Sequence, residues 1–77
     1  MILTVEELGA QAGKRAADLY KARERDGTCE DIRRALPEAV RAAKAEAETR
    51  RNGDQRERDL AIYWENFHEQ FEIWIAR

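Results

Sequence analysis

Apolar positions recur along the chain at the spacing of an α-helix, about 100° per residue, in three successive stretches. In the first, Val5, Leu8, Ala12, Ala16 and Leu19 share one arc, with Gly9, Gly13 and Tyr20 on its flank, and the pattern lasts until Asp26-Gly27. Thr4-Val5-Glu6-Glu7 has capping-box spacing: the Thr4 hydroxyl can accept from the Glu7 amide while the Glu7 carboxylate reaches back to the amide of Thr4. A helix therefore starts at Val5, and Gly27 suits the left-handed position that ends it. The second stretch, capped by Thr28, places Cys29, Ile32, Leu36, Ala39, Val40, Ala43 and Ala47 together. Pro37 lies inside it, where it removes an amide donor and crowds the carbonyl one turn earlier, at about 3 kcal/mol in a regular helix. The apolar phase holds across Pro37, so the pattern predicts one kinked helix from Cys29 to about Arg51, with a short turn and a new helix starting at Pro37 as the competing arrangement.

Asn52-Gly53-Asp54 breaks the chain, and Asp54 with Glu57 repeats the capping-box spacing at the head of a third helix. The predicted helices span about 5–26, 29–51 and 55–76. Short connections make consecutive helices antiparallel neighbours. The expected fold is all-α: a single domain over residues 1–77, forming a small antiparallel three-helix bundle or helical hairpin, with the second helix kinked or broken at Pro37.

Leu60, Trp64, Phe67, Phe71 and Trp74 follow one another at the seam spacing of a packed helix, widened by Tyr63 and Ile75. The first two helices offer mainly alanine and glycine inside, so rings laid over Ala12, Ala16, Ala39, Ala43 and Ala47 make the natural core. Two tryptophans exceed what two alanine faces cover, which leaves aromatic surface at Trp64 and Trp74 for a partner. Ile62 and Ile73 project from the opposite side, beside an acidic row of Glu65, Glu69 and Glu72, and mark a second candidate contact surface or a dimer contact.

At 77 residues the core lies near the lower limit for a self-sufficient chain, so self-association, as a homodimer, is expected. The chain is 43% hydrophobic and 39% charged, too apolar for a disordered tail and too charged for a membrane span. A net charge of -2 provides no global pull toward nucleic acid or anionic lipid, so any such attraction must be local. The one local candidate is the outward arc of the second helix, where Arg33, Arg34, Arg41, Lys44 and Arg51 stand against Glu30 and Glu48. Such a stripe can lie along a phosphate backbone or meet an acidic protein, or be a solvated helix face. No Asn, Gln or Ser on that arc offers base-edge readout. Arg50, Arg51, Arg56 and Arg58 cluster at the Asn52-Gly53 turn, where ion pairing with Glu6 and Glu7 is expected.

Catalytic and metal chemistry find no constellation. His68 and Cys29 each occur once, without companions at ligand spacing, and the chain has no serine. No enzyme, no metal and no cofactor are expected. One cysteine excludes an internal disulfide, and Met1-Ile2-Leu3-Thr4 lacks the basic and apolar stretches of a signal peptide, so the expected compartment is the cytoplasm, with no membrane association. No family motif is recognisable. The leading expectation is a non-catalytic protein-interaction module that binds a larger complex through Ile62, Trp64, Ile73 and Trp74. By base rate alone, phage or mobile-element inhibitors of host proteins, anti-CRISPR proteins among them, are chains of this kind. A nucleic-acid-associated regulator using the basic stripe, and a structural subunit of an assembly, are the alternatives.

Overall fold

The structure, a computed structural model, describes residues 2–77. These form three helices and no strands: α1 (Val5–Ala22), α2 (Thr28–Thr49) and α3 (Gln55–Ile75). The all-helical architecture is consistent with a small helical bundle.

The expected caps form at two of the three starts. Thr4 accepts from the Glu7 amide at 3.1 Å while the Glu7 carboxylate accepts from the Thr4 amide, and Asp54 accepts from the Glu57 amide at 2.9 Å. The start of α2 differs. Thr28 does not cap it; its hydroxyl donates backward to the Arg25 carbonyl at 2.6 Å, and the Glu24 carboxylate takes the Cys29 amide instead, at 3.3 Å. α1 also stops at Ala22 rather than near residue 26, because Asp26 and Gly27 both adopt positive φ, at 52° and 77°, and turn the chain. Lys21 is already level with Trp74 at the end of α3, so a longer α1 has nothing to pack against. α2 runs uninterrupted through Pro37, so a turn with a new helix at that residue is not the arrangement. Pro37 itself is exposed, and its ring displaces no buried group.

α3 lies between the other two. Gly9 meets the backbone of Tyr63, and Gly13 that of Phe67, four residues on in both helices, so α1 and α3 run side by side in the same direction. A Cβ at Gly9 would lie 3.0 Å from the Tyr63 carbonyl carbon and closer still to its oxygen; at Gly13 the same holds for Phe67. Only a hydrogen fits in either place, and it points at a carbonyl oxygen, the geometry of a weak Cα–H···O contact. α2 runs antiparallel on the other side of α3, with Leu36 against Phe71, Lys44 at Glu69 and Ala47 near Ile62. α1 and α2 scarcely touch, meeting where Ala17, Tyr20 and Cys29 converge at one end. The result measures 42 × 31 × 14 Å, less than half as thick as it is wide.

The core is correspondingly small: Ala17, Cys29, Leu36, Phe71 and Ile75, joined by partly buried Ala16, Ile32, Ala39, Phe67 and Trp74. Buried Ala61 lies apart near the start of α3, and this cluster sits toward the end where α3 finishes. There the last carbonyls of α3, which lack partners within the helix, receive donors from both neighbours: Lys21 on Trp74 at 3.0 Å and Arg33 on Ile75 at 3.1 Å.

In an ordinary helix interior Gly→Ala stabilises by about 1 kcal/mol. At Gly13 the sign reverses: Gly13→Ala destabilises the chain by about 2 kcal/mol or more, read as a lowered urea midpoint with unchanged slope, because the new methyl must displace backbone rather than a side chain.

Candidate functional site

The glycine contact determines which side of α1 faces inward. Gly9, Gly13 and Ala17 are buried, while Leu8 and Leu19, on the arc expected to form the core, are 46% and 51% exposed. α1 is thus rotated from the expectation by roughly a quarter turn, toward its smallest residues. The rings of α3 are affected in turn. Phe71 is the only buried aromatic; Leu60 and Trp64 are 50% and 47% exposed, and Tyr20, which meets Phe71 edge-on at 5.6 Å, is also half-exposed.

With α1 and α2 docked on opposite sides of α3, the arcs left between them fall on two broad faces. One is apolar. It carries Leu8, Ala12, Ala16 and Leu19 from α1, Leu60, Trp64 and Phe67 from α3, and Ala35, Ala39 and Ala42 from α2. Three adjoining hollows of ≈ 670, ≈ 590 and ≈ 280 Å³ run across it, sharing Leu60 and Trp64 at one border and Ala39 and His68 at the other. The aromatic floor is a chain of edge and tilted contacts: Tyr63 to Trp64 at 5.1 Å, Trp64 to Phe67 at 5.1 Å, Phe67 to Phe71 at 5.9 Å. The Trp64 carbonyl holds the His68 ring, whose Nδ1 lies 2.7 Å away and so carries the donated hydrogen. The only ion pair at this groove is Arg50 with Glu46, at one rim.

The four apolar residues singled out from the sequence do not share a surface. Trp64 lies in the apolar face. Ile62 and Ile73 lie on the opposite one, Ile62 half-buried beside Ala47, Arg51, Arg58 and Glu65, and Ile73 42% exposed. Trp74 is half-buried; its indole N–H donates to Gln70 at 3.1 Å, and Lys14 and Arg77 stand over the ring at 4.6 and 5.0 Å from its centroid. Trp74 thus already has partners within the chain on its ring and on its indole N–H. Leu8, Leu19, Tyr20 and Leu60, expected on or beside the packed arcs, are exposed instead. The signal for them was the spacing Gly9, Gly13, Ala17, a row of small residues that lets backbones approach and so competes with the leucine arc for the inward position.

The basic stripe is a row of pairs. Arg33 meets Glu30 at 2.9 Å, Arg34 meets Asp31 at 3.8 Å, Arg41 meets Glu38 at 3.5 Å and Arg51 meets Glu48 at 3.0 Å, all one helical turn apart, while Lys44 crosses to Glu69 at 3.3 Å. Each positive charge therefore has a carboxylate beside it, and Arg33 is also engaged with the end of α3. The expected pairing of the turn arginines with Glu6 and Glu7 is replaced by local contacts: Arg50 with Glu46, Arg58 with Gln55, and Glu7 with its own cap.

Cys29 is fully buried, with its Sγ 3.7 Å from the Tyr20 carbonyl oxygen. Among the described residues no group of three His, Cys, Asp or Glu side chains comes together as a metal site, and no helix is long and apolar enough to cross a membrane. Comparison with known protein families, curated proteins and solved structures finds no match to this chain.

Burial, reinforced by the Glu24 carboxylate, pushes the Cys29 thiol above its ordinary pKa. In the unfolded chain the thiol ionises at the ordinary value, so its contribution to stability is complete below that pH and is lost as pH rises toward the folded value. The urea midpoint of the native chain therefore falls from pH 8 to about pH 10, and Cys29→Ala, less stable at neutral pH, shows a flatter alkaline profile.

Proposed function

We propose that this chain is a non-catalytic protein-interaction module that works through the apolar face of Leu8, Leu19, Tyr20, Leu60 and Trp64. The observation that carries the reading is the exposure, between 46% and 51%, of five large apolar side chains on one side of so small a protein. Scattered exposed leucines carry no meaning, but a contiguous apolar patch with a polar rim is the form of a protein contact. The make-up of the patch fits as well: Trp and Tyr are the side chains that concentrate binding energy, and Ala35, Ala39 and Ala42 leave a trough to receive a partner's larger groups.

Binding to nucleic acid through α2 is the weaker reading. A phosphate backbone would have to displace the carboxylates already paired with Arg33, Arg34, Arg41, Lys44 and Arg51. The apolar face needs no such exchange.

A photo-crosslinking residue in place of Leu8, introduced into the full chain in cells that make it, tests the reading. It joins the chain to another polypeptide, whereas the same probe at Gln11, on the outer flank of α1, does not. Equal labelling at both positions, or none at Leu8, contradicts it.

A further inference from the structure

We infer that the partner on the apolar face is a second copy of this chain, giving a two-layer homodimer; the inference rests on the reading of that face as a protein contact. The first argument is area. The chain exposes 5709 Å², whereas a compact monomer of 9.0 kDa exposes about 4,850 Å². The excess, about 850 Å², matches the roughly 800 Å² that each partner gives up in a standard interface. A face of 42 by 31 Å has room for it.

The second argument is the core. A stable domain buries its helices between two layers. Here the buried hydrophobic side chains among the described residues are Leu36, Phe71 and Ile75, with the small Ala17, Cys29 and Ala61. Stacking a second layer on the apolar face supplies what the single layer lacks.

The third argument is self-complementarity, which a twofold contact demands of one patch. The α1 side of the face is a ridge of large residues, Leu8 and Leu19; the α2 side is a trough of Ala35, Ala39 and Ala42. A twofold axis parallel to α3 and passing over Trp64 lays the ridge of each copy in the trough of the other, with the two Trp64 side chains near the axis. The charges that line the hollows, the Arg50–Glu46 pair with Arg56 and Asp59, belong to the end of α2 and the first turns of α3 and so stand at one rim.

Sedimentation equilibrium of the full chain, from about 1 µM to about 100 µM, decides the matter together with thermal unfolding over the same range. The dimer shows twice the 9.0 kDa mass and an unfolding midpoint that rises with concentration. Trp64→Glu and Ala42→Glu shift the mass to that of one chain or unfold it, while Ile73→Lys, on the opposite face, stays dimeric. Should the first two variants not fold, hydroxyl-radical labelling of the unmodified chain reads the face directly: Leu8 and Trp64 become protected as concentration rises, and Ile73 does not. A folded chain with a single-copy mass and a concentration-independent midpoint overturns the proposal, as does a dimer that protects Ile73 instead. A monomer whose Leu8 probe still captures a different protein overturns the dimer and leaves the broader reading standing; a Leu8 probe that captures nothing ends both.

Discussion

The contact of two glycines with two carbonyl groups organises this molecule. Gly9 and Gly13 bring the backbone of α1 against that of α3 at Tyr63 and Phe67, closer than any side chain allows. A contact that close admits one rotation of α1. It turns Gly9, Gly13 and Ala17 inward and leaves Leu8 and Leu19 half outside, giving up part of the burial that contributes about 1.5–3 kcal/mol for a fully buried leucine. It also aligns α1 with one flank of α3 and leaves the opposite flank to α2, so the three helices spread into a broad layer.

Everything at the far end follows from that spread. Because α1 and α2 converge only near the end of α3, the core gathers there around Phe71 and Ile75, and Lys21 and Arg33 reach the carbonyls that α3 leaves unpaired. Toward the start of α3 the flanking helices separate, and Leu60 and Trp64 lie open between them. The molecule is closed at one end and apolar and open at the other. The proposed protein contact rests on that open end.

Much of the fold was legible in the sequence because local signals carried it. The capping residues Thr4 and Asp54 act as their spacing predicts, and the apolar phase across Pro37 corresponds to one continuous α2. Thr28 does not act as the cap because α2 begins one residue earlier than its spacing suggests: left-handed Gly27 takes the cap position, and the Thr28 hydroxyl, now inside the first turn, turns back to the Arg25 carbonyl. The site was less legible. A hydrophobic arc says which residues prefer to leave water, but which arc meets a neighbour depends on how closely the backbones approach, and small residues decide that. Leu8 and Leu19 fall on the expected core arc but outside the contact for this reason, and the charges of α2 form pairs rather than an open stripe because Asp31 and Glu38 stand one turn from Arg34 and Arg41.

The rotation of α1 is the premise on which the apolar face stands, and proton NMR tests it most directly. Nuclear Overhauser contacts from the α-protons of Gly9 to Tyr63 and of Gly13 to Phe67, with the methyl groups of Leu19 showing none to the ring of Phe67, are the result this account predicts. Strong contacts from the Leu19 methyl groups to the Phe67 ring, without the glycine contacts, would contradict it.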